Sequence, residues 1–161
     1  MPAVPSFLKG RPSVKFAAVD ELGRRIQCAV DELEAEDKLK RGRYAPPPPR
    51  FSGYCARMCQ AYKFLALDTR TAVFATDGAR HKYSWLDDDS HYWIESSDGV
   101  MDLNFGPGET PSESYWPYTS EPRTANSMGF HRWKNDPCYP ANQDSRKIMD
   151  AVWRTLDADR G

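Results

Sequence analysis

A cysteine, a histidine and an aspartate occur in this chain in an order that suits thiol-based acyl transfer: Cys55, His91 and Asp102, with Asn104 close behind. A cysteine attacks a carbonyl carbon as its thiolate, so a base beside it must first take the proton. Imidazole can do this, and it works best when a carboxylate or amide on its far nitrogen fixes the tautomer. The two runs around Ser96-Ser97-Asp98-Gly99 are rich in β-branched and aromatic residues, and Ser-Ser-Asp-Gly is a tight-turn signal. They read as a β-hairpin. Side chains alternate along a strand, so His91, Trp93 and Glu95 share one face, and Asp102 and Asn104 share a face on the return strand. A two-residue Asp-Gly turn opposes residue 95 to 102 and 93 to 104. A four-residue turn opposes 93 to 102 and 91 to 104. Both registers bring His91 to the face of Asp102 and Asn104, and register alone does not choose which of the two orients the ring.

The thiol must come from an element that meets this hairpin. In the stretch from Ser52 to Leu65, the residues Cys55, Met58, Cys59, Tyr62 and Leu65 fall on one face of a helix. Ser52 is the expected cap, which puts Cys55 in the first turn. There the free N–H groups and the positive end of the helix dipole favour a thiolate. The backbone N–H of Cys55 is one expected oxyanion donor. Cys59 lies a turn further in and is the weaker alternative nucleophile. Trp93 and Tyr54 are the expected substrate-side residues, with the aromatic group Tyr115-Trp116-Pro117-Tyr118 as a second wall. His131 is an alternative to His91 or a third polar member.

Other elements frame this pair. Val19, Leu22, Ile26, Val30 and Leu33 make an apolar stripe that predicts a helix over 16–41, with acidic residues early, basic residues late and Gly42 as its stop. Gly23 inside it marks close packing. Four prolines at 46–49 cannot continue a helix and read as a stiff spacer. Ala72-Val73-Phe74-Ala75 reads as a strand, the acidic Asp87-Asp88-Asp89 as a solvated turn, and 106–122 as a long loop pinned by its aromatics. A short strand at 128–134 and a helix over about 143–157, burying Ile148, Met149, Val152, Trp153 and Leu156, complete the expected chain.

At 161 residues, one folded unit is expected: an arm, helix and spacer over 1–50, and a core over 51–161. Forty per cent hydrophobic and 28% charged residues is an ordinary globular balance. A net charge of −1 gives no electrostatic case for nucleic acid or a membrane surface. The chain shows neither an apolar leader nor a run of roughly 18 apolar residues, so a cytoplasmic protein with reduced thiols is expected. The four cysteines, Cys28, Cys55, Cys59 and Cys138, are then packing, metal-binding or catalytic residues. No phosphate-binding glycine motif is present, and no organic cofactor is implied.

Gly53-x-Cys55 opening a helix, then His91-Tyr92-Trp93-Ile94-Glu95, then Asp98-Gly99-x-x-Asp102-Leu103 resembles the core of papain-like and transglutaminase-like cysteine enzymes. The nearest likeness is to small phage and bacterial proteins with a Gly-x-Cys helix, a His-Trp-Trp-Leu-Glu strand and an Asp-Gly turn leading to Asp-Pro-Thr. Pro117-Tyr118, Gly129-Phe130 and Arg146 stand where those proteins have similar steps. This chain departs from them in Asp102-Leu103-Asn104 and in its extra Cys59. The resemblance implies an α+β fold with a central helix on an antiparallel sheet. It implies a hydrolase or acyltransferase with Cys55 as nucleophile, His91 as base and Asp102 as orienter, acting on a protein or peptide-like substrate. Two other functions stay open. One is an inactive member of this fold that sequesters a host protein. The other is a zinc protein using Cys55 and Cys59 with His91 and Cys138 or His131, although the matched second pair of a structural zinc site is missing.

Overall fold

The computed structural model describes residues 14–41, 48–66, 72–75, 91–112, 115, 118 and 142–160. Its elements are α1 (Glu21–Ala35), α2 (Cys55–Leu65), β1 (Ala72–Ala75), β2 (Tyr92–Ser96), β3 (Gly99–Met101) and α3 (Asn142–Arg160). The fold is mixed: three helices and a small antiparallel sheet in the order β1-β2-β3. The expected strand at 72–75 is present. The acidic turn, the 128–134 segment, Gly42 and the first two prolines of the spacer lie outside the described residues.

The hairpin follows one of the two expected registers by a tighter turn. Ile94 pairs with Met101, Glu95 with Val100 and Ser96 with Gly99, so only Ser97 and Asp98 form the turn. The Asp-Gly turn that would oppose 95 to 102 is not formed. Gly99 sits at φ +122, and a Cβ there would come within 2.4 Å of the Lys15 carbonyl oxygen. That close approach is used: Val100 N–H donates to Lys15 O and Ala17 N–H to Val100 O, both at 2.8 Å, so Phe16 lies parallel beside β3.

This bridge corrects the expected start of the first helix. Lys15 and Ala17 lend their backbone to Val100 of the sheet, and α1 begins only after Asp20, which has an extended ψ of 179. The Asp20 carboxylate caps it, accepting from Gly23 N–H at 2.8 Å. The helix also ends early, at Ala35. Asp37 takes the left-handed conformation (φ 60), and Lys38 N–H turns back to Leu33 O at 2.7 Å. Lys38, Lys40 and Arg41 therefore lie beyond the last turn rather than in it.

α1 buries Ile26, Ala29, Val30 and Leu33; α2 buries Met58, Cys59, Ala61 and Tyr62; α3 buries Ile148, Ala151 and Val152. α3 packs on both other helices, and α2 also packs on β2. Trp153, expected on the buried face of α3, is 49% exposed. The buried stripe runs through Ser145, Ile148 and Val152, and residue 153 falls on its flank. Gly23 is indeed a close approach: a Cβ there would meet Val19 Cγ1 at 2.6 Å and Leu103 Cδ2 at 2.8 Å.

Candidate active site

Cys55 is the first residue of α2. The N–H groups of a first helical turn have no acceptor within their helix, so they and the dipole face an anion at this position. The expected cap, Ser52, does not serve. It is buried, its N–H goes to Pro49 O at 3.0 Å, and its carbonyl accepts from Arg41 Nη1 at 2.7 Å. Tyr54 occupies the cap position without a side-chain hydrogen bond to the helix. The chain reaches Cys55 through Gly53, whose φ of 93 suits a residue without a Cβ.

β3 stops at Met101, and the chain then turns. Asp102 makes an Asx-type turn: Oδ1 accepts from Asn104 N–H at 2.9 Å, and its carbonyl accepts from Phe105 N–H at 3.2 Å. This turn is tied to both neighbouring helices. Gln27 of α1 donates from Nε2 to Leu103 O at 2.9 Å and to Phe105 O at 2.8 Å. On the approach to α2, Phe51 N–H donates to Asn104 O at 2.9 Å, while Glu109 Oε1 accepts from Arg50 N–H at 2.9 Å and Gly106 N–H at 2.7 Å. The segment that delivers the thiol and the turn that delivers the carboxylate are thus held as one piece.

His91 stands just before β2, 3% exposed, with Nε2 at 2.6 Å from Asp102 Oδ2. Cys55 acts on the same ring by hydrogen bond and by charge, in the direction that raises its affinity for a proton. With Nε2 on Asp102, Nδ1 is the nitrogen left for the thiol. Burial pulls the imidazole down, but Asp102, by charge and hydrogen bond, and Cys55, by hydrogen bond and charge, hold it well above its ordinary value. Cys55 is partly exposed. Cys59 is fully buried, and burial first, then Cys55 and Asp102, push its thiol well up. Of the two sulfurs on this face, only Cys55 combines access with an imidazole partner.

The sequence left Asp102 and Asn104 open as the orienter. The carboxylate of Asp102 is the group against His91. Asn104 instead holds Asp102 through its backbone, and its Nδ2 donates to Tyr115 Oη at 3.1 Å. The two expected substrate-side residues are turned elsewhere. Trp93 is fully buried, its ring centroid 5.9 Å from that of His91, with Nε1 donating to Glu95 at 3.1 Å. Tyr54 is also fully buried. Its hydroxyl bonds Glu34, and the guanidinium groups of Arg41 and Arg57 lie 5.3 and 4.3 Å from its ring centroid.

Two contributors were not assigned these roles from the sequence. Gln27 is a polar residue on the apolar stripe of α1, and that misfit was the available signal. Tyr118 was grouped with loop aromatics, yet its hydroxyl donates to Asp102 Oδ2 at 2.6 Å. No pattern in the sequence pointed to that contact. Among the described residues no group of three or more His, Cys, Asp and Glu is arranged to hold a metal ion, and no helix is long and apolar enough to cross a membrane. His131 and Cys138 lie outside the described residues.

Comparison of the chain with protein-family models, with curated proteins and with solved structures found no match.

Proposed function

We propose that this protein is a cysteine hydrolase or acyltransferase of papain-like or transglutaminase-like design. The observation that carries the reading is the buried His91 bound through Nε2 to Asp102 at 2.6 Å, with Cys55, the first residue of a helix, raising the imidazole by hydrogen bond and charge. The proton of the Cys55 thiol passes to His91, giving a thiolate–imidazolium pair. Asp102 offsets the imidazolium charge and fixes the ring. The sulfur attacks the carbonyl carbon of an amide, ester or thioester. Negative charge gathers on the carbonyl oxygen, where the Cys55 N–H donates. The imidazolium returns its proton to the leaving amine, alcohol or thiol as the bond to carbon breaks. Water or an amine then releases the acyl group, with His91 taking the proton of the incoming nucleophile. A protein or peptide amide is the natural substrate class for such a site.

The test is acyl-enzyme capture. Incubation with p-nitrophenyl acetate followed by peptide mass spectrometry should find one acetyl group on Cys55, and His91→Ala should remove it. Folded protein with no acetylated Cys55 would turn the reading towards a binding protein on an inactive enzyme scaffold.

A further inference from the structure

Asp102 Oδ2 has two partners. His91 Nε2 lies at 2.6 Å, and the Tyr118 hydroxyl donates to the same oxygen at 2.6 Å. Tyr118 is 3% exposed, and its ring is fixed edge-on against Phe16 and Trp93, each at a centroid distance of 5.3 Å. The hydroxyl is therefore delivered by a clamped ring. An ionised carboxylate is acceptor-only, so Oδ2 takes both donors and divides its charge between them. The other oxygen is held by Asn104 N–H at 2.9 Å.

We propose that Tyr118 is a positioning residue of this site, holding Asp102 Oδ2 against His91 and drawing off part of its negative charge. The proposal rests on the thiol-site reading above. The titratable groups that face His91 and Asp102 among the described residues are Cys55 and Cys59 from α2, and Tyr115 and Tyr118 from the segment after β3. Tyr115 differs from Tyr118: its ring meets that of His91 at 5.5 Å, but its hydroxyl engages Asn104. Burial first, and then Asp102, raise the Tyr118 phenol, so it remains a donor at every pH where the site would work. Without that donor, Asp102 stays tied by Asn104 and His91 and presents its undivided charge to the imidazolium.

The experiment is the pH profile of Cys55 carboxymethylation by iodoacetate, an anion that the imidazolium attracts. The profile of the unaltered protein should be bell-shaped, its upper limb marking loss of the His91 proton. Tyr118→Phe keeps the ring and should move that limb to higher pH. Tyr118→3-fluorotyrosine keeps the fold and makes a stronger donor, so it should move the limb to lower pH. A purely structural tyrosine would change stability without these opposite shifts. Should Tyr118→Phe fail to fold, the fluorinated protein still decides. Upper limbs that coincide with the unaltered protein's would overturn the role of Tyr118. Slow, pH-indifferent labelling of Cys55 in the unaltered protein would instead overturn the thiol site itself, and the proposal with it.

Discussion

His91 and Asp102 show how a small set of contacts sets a charge state. Burial pushes an imidazole towards its neutral form, yet Asp102, by charge and hydrogen bond, and then Cys55 raise this one well above its ordinary value, which favours the cationic form. The folded value is raised above the unfolded one. Stability from this group is therefore fully present below the unfolded value, about 6.5, and is lost as pH rises through the folded value. Urea midpoints measured against pH for the protein and for His91→Gln should differ most in mild acid and converge in alkali. A gap that widens with rising pH would contradict the cationic assignment. Asp102→Ala is expected to be harsher, because it strands the imidazolium and the Tyr118 hydroxyl together. A loss of about 3 kcal/mol in chemical denaturation is the scale for breaking a buried pair by removing one partner.

The elements show why the chemistry-bearing residues were easier to find than their supports. The hairpin was legible because turn and strand signals agree around Ser97-Asp98, and β1 was legible as a short apolar run. The ends of α1 were not. Its start is fixed by a bridge between Phe16 and Val100, a long-range contact that local periodicity does not carry. Its stop uses an aspartate in a left-handed conformation in place of the expected Gly42. The approach to α2 departs from the expected serine cap for a similar reason: the tie from Arg41 to the Ser52 carbonyl and the left-handed Gly53 shape it, not a serine hydroxyl. Gly23→Ala tests the packing of α1 on the Asp102 turn. Helix propensity alone favours alanine by up to about 1 kcal/mol. The new methyl would press on the fully buried Leu103, and overpacking costs typically 1–3 kcal/mol, so a net loss is expected in thermal or urea unfolding. Unchanged or raised stability would show that Leu103 yields freely.

Across the whole molecule, the three helices and the sheet bury one continuous core, and the thiol site lies where α2 meets the hairpin. The α+β class was what the resemblance implied, and the mixture of three helices with a small antiparallel sheet agrees with it at that coarse level. The zinc alternative rested on sequence spacing, and two of its candidate ligands, His131 and Cys138, lie outside the described residues. Tyr118 and Gln27 escaped because their partners lie 16 and 76–78 positions away in the chain. Support and chemistry should separate under mutation. Ile148 on α3 is fully buried, and Ile148→Ala should cost about 2–5 kcal/mol through the cavity it leaves. Below its lowered melting point, that variant should keep Cys55 as the preferred thiol, as read by peptide mass spectrometry after limited alkylation. Loss of the preference in still-folded protein would mean that the site depends on the packing of α3.

The most direct measurement is competitive alkylation with iodoacetamide at pH 6, resolved thiol by thiol. Cys28 is exposed and no imidazole among the described residues acts on it, whereas Cys55 is only partly exposed and acts on His91. Cys55 should react at least about tenfold faster than Cys28, against the order that exposure alone would give, and His91→Ala should erase the advantage. Cys28 reacting as fast as or faster than Cys55, with no change on removing His91, would contradict the account.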